Sequence, residues 1–201
     1  MNYQSRYGQK PKQALDMPNW LLGSGPGLNL VLRPRAVELE GIAAQLVQNP
    51  QVLTCIPWSR NVDTRSLPEN VMAAQLNNGR SRSFILGKSQ DRHLAVIAPE
   101  VISATTPPVA AEILAWLHAE FSRNGKGLVV VVDSRAHADC LLSAGANRVF
   151  WQTDNGRLVP VPADGLQAAC AALPGAAWVK AGEAVAVAPP AAVATPWGTL
   201  H

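Results

Sequence analysis

The sequence has few cysteines, few aromatic residues and little charge, and each shortage excludes a class of protein. Among 201 residues there are 3 cysteines, 5% aromatic residues and 15% charged residues. The widely spaced Cys55, Cys140 and Cys170 exclude a disulfide framework and supply no Cys-x-x-Cys metal pair. Hydrophobic residues make up 48% of the chain, which excludes global disorder. A chain of this length can bury a core without disulfides.

Signals for membranes and secretion are also missing. No apolar run approaches the roughly 20 residues that a membrane span needs, and the polar start MNYQSRYGQKPKQ has no apolar signal segment. We therefore expect a cytoplasmic globular protein without a membrane span. The expected organisation is a mobile basic arm over 1–19, one α/β domain over 20–184 and an Ala/Pro-rich tail over 185–201.

Strand-like and helix-like segments alternate between the two ends. Helices are predicted at 36–48, 66–76, 107–123, 135–144 and 164–172. Strands are predicted at 28–33, 51–58, 83–88, 93–98, 127–133, 147–153 and 157–162, with two fragments within 177–187. The all-apolar GLVVVVD is typical of a strand buried on both faces. The alternation predicts a three-layer α/β sandwich with a mixed, mainly parallel sheet, and antiparallel hairpins at 83–98 and 147–162 are expected at its edges.

Two carboxylates directly follow apolar strands, Glu100 after HLAVIAP and Asp133 after GLVVVV. In open α/β sheets, ligands bind at the carboxyl ends of the strands, so parallel neighbours would bring both carboxylates to one edge, together with Ser134, Arg135 and His137. Such a pair could bind Mg²⁺ or act as acid and base, with His137 as a further catalytic candidate. The alternative, which we favour, is that Asp133 and Ser134 form an ordinary helix start.

A glycine-rich string, LLGSGPG, occupies residues 21–27. It resembles the first motif of S-adenosylmethionine-dependent methyltransferases. The resemblance implies that Gly23, Gly25 and Gly27 let the backbone approach a nucleotide-like cofactor. Because Pro34 prevents an uninterrupted helix from following the loop, we favour a plain Gly/Pro loop.

Other motifs of catalysis are incomplete. Gly87-Lys88-Ser89 resembles the end of a phosphate-binding P-loop, but Arg82 stands where that loop requires its first glycine. No Gly-x-Ser-x-Gly or His-x-x-x-His pattern occurs. We therefore expect no cofactor and no metal.

Positive charge is concentrated in the first half of the chain. Residues 1–92 hold eleven Lys and Arg against six Asp and Glu, whereas residues 93–201 hold six against eight. A basic half can dock on phosphates or on an acidic protein, although a solvated face explains the same charges. Among six tryptophans, Trp116 and Trp151 fit core positions, whereas those near loops or tails are typical partner anchors. The candidate partner or nucleic-acid contacts are Arg6, Lys10, Lys12, Trp20, Trp58, Arg60, Arg80 and Arg82.

These observations predict a non-catalytic adaptor or accessory subunit of a larger cytoplasmic assembly, binding a protein partner. Two enzymatic alternatives stay open: a methyltransferase built around 23–27, or a magnesium-dependent phosphotransfer enzyme using Glu100 and Asp133. A third alternative is a nucleic-acid-binding accessory protein that uses the basic first half.

Overall fold

Seven strands form one sheet in the computed structural model, which describes residues 27–33, 50–60, 62–153 and 158–174. The strands are β1 Gly27–Leu32, β2 Val52–Pro57, β3 Val71–Ala74, β4 Leu94–Ile97, β5 Gly127–Val132, β6 Arg148–Gln152 and β7 Leu158–Pro160. Their order is β3-β2-β4-β5-β1-β6-β7, and all neighbours are parallel except β6 and β7. The predicted α/β class with a mixed, mainly parallel sheet is confirmed.

Five α-helices connect or flank these strands within the described ranges. They are α1 Gly79–Lys88, α2 Pro99–Ser103, α3 Pro107–Arg123, α4 Arg135–Ser143 and α5 Leu166–Ala171, the last preceded by a 3₁₀ turn at Ala163–Gly165. Prolines open α3, where a missing N–H costs nothing. Gly125 and Gly145, at φ 68° and 99°, follow α3 and α4 in a conformation that other residues rarely adopt.

The sheet buries apolar side chains on both faces. Leu128, Val130 and Val132 of β5 belong to a large cluster shared with the helices, whereas Val129 and Val131 belong to a second cluster. The described members of this second cluster all come from strands. All six residues of β5 are buried, as predicted for a strand covered on both faces.

Two local predictions are wrong. Residues 83–88 form the second half of α1 and not a strand, so the hairpin at 83–98 does not exist. Residues 66–76 are a loop followed by β3, not a helix. A short apolar run is compatible with either a strand or a helix. Here the Asn78 side chain accepts hydrogen bonds from the N–H groups of Arg80 and Ser81, and this N-cap stabilises the start of helix α1. The hairpin at 147–162 is confirmed by the antiparallel β6–β7 pair.

The two tryptophans predicted for the core differ in position. Trp151 is 6% exposed, as predicted, whereas Trp116 is 44% exposed on the outside of α3.

The predicted arm 1–19, helix 36–48 and tail 185–201 lie outside the described residues, as do Arg6, Lys10, Lys12, Trp20, Gly23 and Gly25. In the part of the chain that is described, no helix has both the length and the hydrophobicity for a bilayer crossing.

Candidate functional site

The carboxyl ends of three neighbouring strands bring a cluster of charged side chains together. Arg33 follows β1, Asp133 follows β5, and Glu100 lies one turn beyond β4 at the start of α2. Arg33 Nη2 is 3.6 Å from Glu100 Oε1 and 3.7 Å from Asp133 Oδ2. The structure thus brings the two predicted carboxylates to one edge, with a guanidinium between them.

Arg33 is the member of this cluster that sequence reasoning missed. Its N–H donates to the carbonyl of Val132 at 2.8 Å, which aligns the end of β1 with the end of β5. Its side chain is only 7% exposed, whereas those of Glu100 and Asp133 are 33% and 32% exposed. The available signal was an arginine directly after a mainly apolar, strand-like segment, because such a residue lies at the carboxyl end of its strand, as the two carboxylates do.

Burial dominates the electrostatics of Glu100. Desolvation raises the pKa of its carboxyl, and the charge of Asp133 raises it further, while a backbone hydrogen bond and Arg33 lower it. Its Oε2 atom is buried without a hydrogen-bond partner among the described residues. Glu100 is therefore a carboxylate that gains from the neighbouring guanidinium but is still costly to keep charged.

The guanidinium lies where a metal ion shared by the two carboxylates would have to bind. A divalent cation between Glu100 and Asp133 would meet the positive charge of Arg33, so the donor set does not fit the alternative of a magnesium-dependent enzyme. Nor do the described residues contain a group of three His, Cys, Asp or Glu side chains that could hold a metal ion.

Ser134 and His137 form a second polar group beside this cluster. Ser134 is the N-cap of α4, and its Oγ accepts from the His137 N–H at 3.4 Å. His137 is 4% exposed, and its Nε2 lies 2.9 Å from the carbonyl oxygen of Thr105. Because a carbonyl only accepts, Nε2 carries the proton, and Nδ1 accepts from the Ser134 hydroxyl at 2.7 Å. The Nε2 atom of His137 thus ties α4 to the loop before α3, while Nδ1 bonds to the N-cap of its own helix.

The amino end of α4 is occupied by the protein itself. The N–H of Arg135 donates to the carbonyl of Pro174 at 3.3 Å, and the His137 N–H is satisfied by Ser134. In many α/β folds the first N–H groups of such a helix bind a phosphate. Here two of these donors already have partners within the chain.

The remaining predicted residues are spread over other elements. Trp58, 46% exposed, and the exposed Arg60 follow β2, while Arg80 and Arg82 lie in α1. Lys88 is the last residue of α1, so the P-loop-like segment lies at the wrong end of a helix for phosphate binding. Gly27 is the buried first residue of β1.

A separate depression of about 470 Å³ lies at the opposite edge of the sheet, near the amino end of β6. Arg148 is the charged residue among those that line it; its other described walls are largely apolar, including Phe150, Pro160 and Leu166. Its described lining residues include no carboxylate, histidine or cysteine for acid–base or nucleophilic chemistry.

Models of known protein families gave no match to this chain, and neither did curated protein sequences.

Proposed function

We propose that this chain is a non-catalytic accessory subunit of a larger cytoplasmic assembly and that it binds a protein partner. The observation that supports the proposal most directly is the position of Arg33, held between Glu100 and Asp133. In a doubly wound sheet, the crevice at the carboxyl ends of the strands is where a substrate or cofactor binds. In this chain, that crevice contains an internally paired set of charges.

A ligand in this crevice would have to compete with these internal contacts. Separating Arg33 from a carboxylate leaves a desolvated guanidinium, although water screens carboxylates that are about one-third exposed, so we expect a cost of about 2–3 kcal/mol. That cost corresponds to a loss of about one and a half to two orders of magnitude in affinity. Arg33 therefore favours a structural role for the cluster over ligand binding.

A protein partner is supported by large apolar side chains on the surface. Phe84 is 63% exposed and Trp116 44%, and Trp58 at the end of β2 is comparable. Exposed aromatic residues are the side chains most often found as anchors in protein interfaces. They supply apolar binding area on the surface of the domain.

Two measurements on the full chain test this function. Calorimetry with millimolar ATP or S-adenosylmethionine should show no binding, and a micromolar dissociation constant for either would favour an enzyme. A tagged chain purified from its own cells should retain one protein in fixed stoichiometry. A variant with Trp58, Phe84 and Trp116 all changed to Ala should lose that protein, whereas the control Gln167→Ala, at an exposed position of α5, should keep it. A protein retained equally by the triple variant would contradict the anchoring role.

A further inference from the structure

Helix α3 has an apolar stripe in addition to its buried side. Ala110, Leu114, Leu117 and Phe121 face the core. Val109, Ile113 and Trp116 follow a second i, i+4, i+7 series, in which Val109 is 43% exposed, Trp116 44% exposed and Ile113 half-buried. Residues at this spacing share one side of a helix, so the exposed Val109 and Trp116 lie on either side of Ile113, which also packs against the large core cluster, in one apolar strip.

Positive charge borders this strip on the side of α1. The guanidinium of Arg82 lies 6.0 Å from the centre of the Trp116 ring, and its Nη1 donates to the carbonyl of Leu76 at 3.0 Å. Helix α1 carries Arg80, Arg82 and Lys88 and contains no acidic residue. On α3, Glu120 is paired with Arg123, and the exposed Glu112 lies three residues after Val109 and four before Trp116, so it borders the strip.

We infer that Arg82, Val109, Ile113 and Trp116, here termed the α1–α3 surface, bind an amphipathic helix of the partner with apolar side chains on one face and acidic side chains beside them. The inference rests on the proposed function and specifies its surface and the chemistry of the partner. An apolar strip recognises a helix through anchors at i, i+4 and i+7, and the adjacent guanidinium selects carboxylates.

Nucleic acid fits this surface less well than such a helix. Bases bind by stacking on open aromatic faces, but Val109 and Ile113 have no ring. One face of the Trp116 ring is already covered by Arg82. The aliphatic part of the strip would stay uncovered against a phosphate backbone, whereas a helix with apolar side chains buries it.

Two synthetic probes test the charge and the apolar anchors separately. The acidic probe is an 18-residue helix with Leu at i, i+4 and i+7 and Glu at flanking positions, and the basic probe carries Lys in place of Glu. Binding to the full chain is followed by tryptophan fluorescence and by NMR shifts of α3. We expect at least tenfold tighter binding of the acidic probe, and Arg82→Glu should invert this preference. Equal binding of both probes, or binding of neither, would overturn the inference.

The control is Gln167→Ala, at an exposed position of α5 that belongs neither to the α1–α3 surface nor to the proposed anchors. Trp116→Ala should weaken the acidic probe at least tenfold, while Gln167→Ala should change its binding less than twofold. Equal losses in both variants, or tighter binding of a single-stranded oligonucleotide than of the acidic probe, would contradict the α1–α3 surface.

Photo-cross-linking in the cells of origin separates this inference from the proposed function. A photoreactive residue at the exposed position 109 should capture an acidic helix of one protein, identified by mass spectrometry. Capture at position 58 and not at 109 would overturn the surface while leaving the accessory function standing. Absence of a captured protein at both positions would count against both.

Discussion

Replacing Arg33 by Met tests whether the charged cluster is structural. The substitution keeps most of the aliphatic volume but removes the guanidinium from between Glu100 and Asp133. At 3.6 Å and an effective dielectric constant of about 20, one such pair is worth about 4–5 kcal/mol before desolvation is subtracted. Because both carboxylates are about one-third exposed, water screens the charges that remain. We expect the free energy of unfolding to fall by about 2–3 kcal/mol at pH 7.

The loss should depend on pH in a defined direction. Burial raises the pKa of Glu100 above its value in the unfolded chain, so the folded state binds this proton more tightly. Protonation therefore favours folding, and stability falls as pH rises from the unfolded pKa through the folded pKa. Because Arg33 stabilises the charged form of Glu100, removing Arg33 makes that charged form still more unfavourable in the folded state. The variant should thus recover part of its deficit toward pH 4, and adding Glu100→Gln should restore about half of it at pH 7.

Urea unfolding at pH 4.5 and pH 7 measures these differences. Arg92→Met is the matched control, because Arg92 is also buried but its partner Glu69, 3.8 Å away, is 95% exposed. The decrease in the free energy of unfolding caused by Arg92→Met should stay the same when Glu100→Gln is added, since the two sites do not share a partner. The structural role of the cluster would be refuted by a loss below about 0.5 kcal/mol in Arg33→Met, or by no rescue from Glu100→Gln.

Three further predictions follow from burial and capping. Leu117→Ala, at a fully buried position of α3, should lower the free energy of unfolding by about 2–4 kcal/mol in a denaturant melt. Asp133→Asn should lower it by only about 1 kcal/mol, because water partly screens the carboxylate. Equal decreases in the two variants would contradict this expectation. Ser134→Ala should lose about 1 kcal/mol with the N-cap of α4, and Ser134→Asn should recover most of it. Burial raises the pKa of Cys55 to about 12, so native protein at pH 8 should resist iodoacetamide at Cys55 until urea unfolds it, as read by mass spectrometry; rapid native labelling would place the thiol at the surface.

Elements with strong local signals were predictable. The all-apolar β5, the proline-opened α3 and the β6–β7 pair follow from composition and turn residues alone. The interval from 66 to 88 was not predictable in this way. The four residues of β3 become a strand because Met72 and Ala73 align with Cys55 and Ile56 of β2. That pairing is a tertiary interaction, and periodicity over so short a run cannot report it.

The charged cluster was predictable only in part. Glu100 and Asp133 were expected at one edge because parallel strands end together. Their partner Arg33 depends on β1 lying beside β5, and chain order does not reveal that adjacency. The bond from His137 to Thr105 likewise joins segments 32 residues apart, which only the packed helices bring together.

The position of β1 inside the sheet, between β5 and β6, also affects when this chain can fold. Gly27 aligns with Gly127 on one side, and Asn29 aligns with Arg148 on the other. During synthesis, about one hundred residues must therefore be added after β1 before the first of its neighbouring strands, β5, has been made. Such distant pairing implies slow folding, with an apolar strand exposed on the ribosome until late in translation. A truncation before residue 148 would leave β1 with one open edge, so premature chain ends in that region should yield aggregating rather than partly functional products.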